Sequence, residues 1–543
     1  MAVQNFDMPL ADTETEVLIV GGGPVGLTAR ALLERWGVRV LLVEKHRQLS
    51  PFPRSRLVNV RSMEIFRQLG LDATITAAAF APEYGRIRFR DTLYDRDFAT
   101  AAMVGINAPV PESPVLGVVT SQDRLEPTLL AAADAPVRFG VELTDLIEEA
   151  DSVVALLVDR DTGDATRVRA RYVLAADGAN STVRQLLGIG TTGPGELGGV
   201  TTVVFDADLH RWCARQPAGV YFTAHGSFLP LYPEGGWAWF APTPEDPARA
   251  DWPGLVSRAL GPGAEVRAEV LRVQQWVMNA FVAERFRRGR ILLAGDCAHA
   301  IPIIGGLGMN AGVADAHNLC WKLAGVLQGW AGPSLLETYE TERHPVADRT
   351  LRQAVANTQL LLQVQNRRRD QLQSGEAAPA QAELPWSEEY FAQLGLVLGV
   401  AYHSDAVLND DAVLSVAPVL NDDGAPPGPS DSGTDYVPTT EPGHRMPHLW
   451  LRPDSSTLDT VGERFTLLTP DPARWERQAI ATTPWPLGIE ALPREHSDFC
   501  GLRPHGALLV RPDGHIAARW RDRPPNDAVL RRALTAITGS TCR

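Results

Sequence analysis

Lysine is almost missing from this 543-residue chain: of 51 basic residues only Lys45 and Lys322 are lysines. Acidic residues outnumber basic ones, 65 to 51, for a formal net charge of −14. That balance opposes nucleic-acid binding and a polybasic membrane anchor. The five cysteines, at 213, 297, 320, 500 and 542, are scattered and never in CxxC spacing. Neither a disulfide framework nor a zinc site is indicated, and no metal ligand set is assigned. No run of 18 or more apolar residues occurs, and the first fifteen positions are mixed and acidic rather than basic then apolar. A membrane span and a secretory signal are therefore not expected, which makes the cytoplasm the expected location. What remains is an ordinary globular composition, 45% apolar and 21% charged, at a length that suits about three or four domains.

Three segments stand out. Near the start, the run Val17, Leu18, Ile19, Val20 reads as a buried parallel strand. It leads into Gly21-Gly22-Gly23-Pro24-Val25-Gly26, a helical stretch at 27–36, and a second strand at 38–43 that ends in Glu44. Glycines at this place make the tight turn, let backbone approach a pyrophosphate and let the helix pack on the strand; Glu44, roughly 20 residues on, can hold a ribose diol. An acid rather than a base there favours an adenosine ribose without a 2′-phosphate.

The second segment runs Tyr172-Val173-Leu174-Ala175-Ala176-Asp177-Gly178, followed by Ser181 or Thr182 as a helix start ahead of Arg184. In the third, Ile291-Leu292-Leu293-Ala294 delivers Gly295-Asp296, and Cys297, His299, Pro302, Gly305, Gly306, Gly308, Met309, Asn310 and Gly312 follow. A strand of this kind can aim Asp296 at a sugar-alcohol hydroxyl while the glycines let backbone N–H groups meet a planar ring. Cys297 reads as a small buried residue.

Taken with Asp315, Asn318, Trp321-Lys322-Leu323 and Tyr339-Glu340-x-Glu342-Arg343-x-Pro345, these segments resemble, in the same order, the motifs of the FAD-dependent aromatic hydroxylases of the para-hydroxybenzoate and phenol hydroxylase type. Such a resemblance implies an α/β fold. A Rossmann-type (GR2) FAD-binding domain at 14–199 and 280–365 is interleaved with a β-sheet substrate domain at 86–119 and 200–279. A helix and flexible linker at 366–440 and a thioredoxin-like domain at 441–543 complete it. The cofactor-binding set it implies is Gly21, Gly23, Pro24, Val25, Gly26, Glu44, Lys45, Arg54, Gln122, Asp177, Gly178, Gly295, Asp296, Pro302, Gly305, Gly306, Gly308, Met309 and Asn310. Arg54, in Pro53-Arg54-Ser55, matches the family arginine near the pyrophosphate, where a guanidinium fork suits phosphate. Gln122 opens a helix after Thr120 or Ser121 as cap, at the place where family members set a glutamine against the flavin.

From about 198 to 279 the pattern is strands, at 200–206, 219–225, 227–232 and 236–240, rich in aromatics. In the family this sheet roofs the flavin, so Tyr221, His225, Trp237 and Trp239 are the candidate substrate contacts, joined by Ile303 of the glycine-rich loop. Helices follow at 311–373, broken at 329–333, and 374–383 and 421–443 carry linker-like composition. Near the C-terminus Arg511-Pro512-Asp513-Gly514 has hairpin-turn chemistry. With Cys500 alone there, packing or dimer support is expected rather than thiol exchange.

The resemblance implies that NADPH or NADH reduces FAD, that dioxygen adds to give a C4a-hydroperoxyflavin, and that an OH passes to a small-molecule aromatic substrate, a phenol or a polycyclic polyketide. No catalytic base is assigned, and both monomer and homodimer stand open. One departure is Ile303, at the fourth position after His299, where many members carry proline; here Pro302 comes one step earlier. Baeyer–Villiger or epoxidising oxygenation is the rival within the fold, and a non-catalytic flavin or ligand binder lies outside it. Trp237-Ala238-Trp239-Phe240-Ala241-Pro242 resembles the WxWxIP motif of flavin halogenases, but no lysine occurs between 45 and 322 to carry hypohalous acid.

Overall fold

The computed structural model describes residues 12–262, 266–374, 393–408, 436–480, 484–522 and 528–540. Most of the linker-like segments at 374–383 and 421–443, together with residues 1–11 and Cys542, lie outside them. Among the described residues no helix is long and apolar enough to cross a membrane.

The N-terminal sheet has five parallel strands in the order Ile291–Leu293, Ala165–Ala175, Asp12–Val20, Val40–Glu44 and Val137–Phe139. Their apolar runs are buried because helices cover the sheet, chiefly Pro24–Arg35 packed against Gly308–Gln328. Parallel pairing puts the carboxyl ends of neighbouring strands at one edge. Gly21, Glu44, Asp177 and Asp296, all just past or at a strand end, are thereby lined up side by side.

A second sheet of eight strands runs in the order His299–Ala300, Glu269–Ala283, Thr191–Asp206, Gly235–Pro242, Gly226–Tyr232, Val220–Thr223, Arg86–Arg90 and Ala99–Ala102. Its first strand directly follows Gly295-Asp296, so the glycine-rich segment joins the two sheets. The 38-residue helix Glu337–Ser374 runs alongside, with Pro345 inside it.

The C-terminal unit has the four-stranded order Leu487–Ala491, Phe465–Thr469, Ala507–Val510 and Ile516–Trp520, the first pair parallel and the others antiparallel. With helices Pro472–Ile480 and Val529–Thr538 this is a thioredoxin-like arrangement. It shares one apolar core with the N-terminal unit. Trp321 stacks on Trp330 at 6.4 Å, and Phe465 meets both edge-on. The hairpin turn at Arg511 to Gly514 forms as its residues suggest, but it is buried rather than exposed. Glu342 accepts hydrogen bonds from Arg511 at 2.6 and 2.9 Å, from Lys322 at 2.7 Å and from Asn318 at 2.6 Å. These charges outweigh the desolvation and hold the Glu342 carboxyl far below its ordinary range, whereas burial pulls Lys322 down to about 8.

Candidate active site

Between the two sheets lies a cleft of about 1700 Å³. Its floor is the carboxyl edge of the parallel strands. Gly21 has φ +111°, and a Cβ there would sit 2.3 Å from the Ala176 carbonyl oxygen, so only glycine allows the two motif loops to touch. Glu44 accepts from Gly22 N at 2.7 Å and from His46 N at 2.8 Å, which fixes its carboxylate at the cleft wall. Pro24 opens the helix Pro24–Arg35, whose free N–H groups favour an anion. Gly23, Pro24, Val25, Lys45 and exposed Arg54 also line this end.

Asp177 lines the cleft too, though its carboxylate serves the protein. It accepts from Ser181 Oγ at 2.6 Å and Val183 N at 3.1 Å, capping helix Thr182–Leu186. Gly178 stands beside it. Asp296 opens onto the cleft, its side chain exposed there. Gly305, Gly306, Gly308 and Met309 continue the wall, with Ile303 44% exposed at the rim.

Four expected cofactor contacts stand behind that wall instead. A Cβ on Gly26 would fall 2.0 Å from the Gly21 oxygen, and one on Gly295 2.8 Å from Val25, so both glycines allow close packing of the loops. Asn310 accepts from Asn59 N at 2.9 Å and donates to the carbonyls of Leu57 and Gly306, bracing the glycine turn. Pro302 is buried off the cleft surface.

Gln122 lines the cleft and donates to Glu126 at 2.7 Å. Ser121 occupies the helix cap position, yet its hydroxyl caps nothing and has no partner among the described residues. Glu126, 2% exposed and at the cleft wall, has no cation in ion-pair contact among the described residues, and burial pushes its carboxyl up to about 7. Its signal in the sequence is only the four-residue step from Gln122, which puts both on one helix face.

The roof corrects the expected substrate contacts. Tyr221, Trp237 and Trp239 face away from the cleft, packed with Phe205, Phe228, Val256 and Leu260 in a separate core. His225 sits exposed in a hairpin turn, its carbonyl accepting from Trp239 Nε1 at 3.0 Å. The physical reason is strand alternation, in which a shift by one residue exchanges faces. Phe222 and Phe240, the immediate neighbours, are on the cleft side, with Ser227, Leu229, Thr202 and Trp276.

The arrangement of a glycine loop, a ribose-level acid, an anion-friendly helix start and an apolar roof fits FAD with room for an aromatic compound beside it. Among the described residues no group of three or more His, Cys, Asp or Glu could hold a metal. Residues 14–354 match a family model described as FAD binding domain, and residues 439–541 match one described as aromatic-ring hydroxylase, C-terminal. The chain belongs to the FAD-dependent aromatic-ring hydroxylases.

Relatives of this hydroxylase cover nearly all of its length. It is 35% identical to tetracenomycin B2 monooxygenase-dioxygenase of Streptomyces olivaceus, over 97% of this chain and 99% of that one. It is 34% identical to aklavinone 12-hydroxylase RdmE of Streptomyces purpurascens (96% and 99% covered) and 32% to 4-methyl-5-nitrocatechol 5-monooxygenase of a Burkholderia species (97% and 98%). Among solved structures it resembles the flavin-dependent monooxygenase PieE in complex with FAD and substrate, with TM-score 0.84, 30% identity and 97% and 99% of the chains covered. A ternary complex of aklavinone-11 hydroxylase with FAD and aklavinone matches with TM-score 0.80 at 33% identity, over 98% and 100% of the chains.

Proposed function

We propose that this hydroxylase oxygenates a multi-ring phenolic or quinone-containing compound of polyketide type, with NADPH or NADH and dioxygen as cosubstrates. The cleft carries this reading. Its volume of about 1700 Å³ exceeds the roughly 300–1,000 Å³ of ordinary small-molecule sites. That leaves room for several fused rings beside a dinucleotide. Relatives named for tetracenomycin and aklavinone support the same class, and the nitrocatechol monooxygenase marks small phenols as the competitor.

In this reading Glu44 holds the adenosine ribose, and Gly21, Gly23, Pro24, Lys45 and Arg54 surround the pyrophosphate. Gln122, Asp296, Gly305, Gly306, Gly308 and Met309 face the ribityl chain and ring. Bound FAD supplies the redox and oxygen chemistry. The chain's own part is to bind, orient and keep water out, which Phe222, Leu229, Phe240 and Trp276 do from the roof.

The test is oxidation of NADPH and of NADH by the purified flavoprotein against a panel of polycyclic hydroxyquinones and simple catechols, with mass spectrometry of products. A polycyclic product heavier by one oxygen is expected. Turnover of catechols alone would reassign the substrate, and a ring-expanded lactone would replace hydroxylation by Baeyer–Villiger oxygenation.

A further inference from the structure

Gln393 begins the short helix Leu394–Val397 and lines the cleft at its Gly305 end, together with Leu394 and Val397. It is 2% exposed, and among the described residues neither its Oε1 nor its Nε2 has a hydrogen-bond partner. Buried amides are almost always paired, so two open positions on one side chain are unusual. Its backbone is unusual too, with φ 49° and ψ 33°, a left-handed conformation that glycine adopts more easily. The carbonyl starts the helix, accepting from Leu396 N and Val397 N at 3.0 Å. A glycine could do that alone; the glutamine adds an amide.

A second open donor lies beside it. Asn357, on the long helix and fully buried, accepts from Gln353 at 3.0 Å through Oδ1, but its Nδ2 has no partner among the described residues. Both amides converge on the glycine turn: a Cβ built on Gly305 would lie 3.2 Å from Asn357 Nδ2 and 3.4 Å from Gln393 Oε1. Leu307 lies against the same glycine, and Ile304, Leu394 and Val397 also line the cleft.

We propose that Gln393, supported by Asn357, is a specificity-determining residue whose amide reads a hydroxyl and a carbonyl of the aromatic substrate that are not hydrogen-bonded to each other. The acceptor Oε1 suits a phenolic O–H and the donor Nε2 suits a quinone carbonyl. This rests on the multi-ring reading above and narrows it to rings that bear such a pair. A site built to hydrogen-bond a substrate rejects the analogue that lacks those groups, because its own polar atoms stay unpaired.

The test compares binding of 2,6-dihydroxyanthraquinone, whose hydroxyls are too far from the carbonyls to bond to them internally, and unsubstituted anthraquinone to the holoenzyme, followed by perturbation of the bound-flavin spectrum and by tryptophan fluorescence. Wild type, Gln393→Leu and Gln393→Gly are measured, each first checked for retained FAD and for thermal unfolding. Gln393→Gly keeps the left-handed backbone comfortable, so it separates the amide from the fold. Wild type is expected to prefer the dihydroxy compound by about tenfold or more, and both variants to lose that preference. Equal binding of the two compounds by wild type, or an unchanged preference in both variants, would overturn the role of Gln393 and leave the multi-ring reading standing. Binding of neither compound by wild type would remove both.

Discussion

Asp315 Oδ2 lies 2.6 Å from His299 Nε2 with both side chains fully buried, and the same oxygen accepts from Gly295 N at 3.0 Å. Its other oxygen accepts from Arg343 Nε at 2.7 Å. Burial pushes the Asp315 carboxyl up, but His299 and Arg343 together hold it below the usual range. One carboxylate thus ties the Gly295-Asp296 turn to both long helices. Asp315→Asn leaves Arg343 facing a neutral amide. The expected cost is about 3–5 kcal/mol, read by chemical denaturation, with weaker FAD retention.

Gly26→Ala places a methyl group where only 2.0 Å separates it from the Gly21 oxygen. The first motif loop must then open. Purified protein is expected to carry little flavin, measured as flavin absorbance per mole of polypeptide, and normal flavin content would refute the close-packing account.

Trp239 and Phe240 are neighbours with opposite duties. Trp239→Ala empties the core behind the roof and is expected to cost about 3–5 kcal/mol of stability. Phe240→Ala removes a cleft wall, so its main effect should be on the affinity for polycyclic ligands. The two thermal shifts and two ligand titrations form a crossed comparison; equal effects on both readouts would contradict the assigned faces.

Glu126 gives a pH signature. Its folded carboxyl, near 7, lies above the ordinary 4.5, so the native state holds a proton that the unfolded chain has released. The associated stability is complete below about 4.5 and is lost as pH rises through 7. Glu126→Gln is expected to flatten that decline, by up to about 3 kcal/mol across the window, in urea titrations at a series of pH values.

Arg511→Met strips Glu342 of two charged hydrogen bonds deep in the interior. A loss of about 3–5 kcal/mol is expected, together with faster proteolysis of the C-terminal unit. Undiminished protease resistance would show that the shared aromatic core alone holds the two units together.

The motif-bearing strands were legible because each pairs a short apolar run with glycine and an acid, two signals that point to the same strand-to-turn geometry. Glu44, Asp177 and Asp296 consequently fall along one edge. The roof was legible as strands but not by face. Tyr221 and Phe222, or Trp239 and Phe240, are equally apolar, and period-2 alternation says which residues share a face without saying which face meets the cleft. Gln393 and Arg511 were hidden for another reason. Their meaning comes from partners across the fold: Gly305 lies far from Gln393 in sequence, and Glu342 lies 169 residues before Arg511.

That last separation has a consequence for synthesis. Glu342 leaves the ribosome well before the arginine that neutralises it. At about 5–20 residues per second, the interval is roughly ten to thirty seconds. During it the nascent FAD-binding region carries an acid with Lys322 as its only cation from the earlier chain among the described contacts. Until the hairpin at Arg511 has been made, that region lacks two of the charged hydrogen bonds its buried acid accepts, so the C-terminal unit completes the interior of the FAD-binding one.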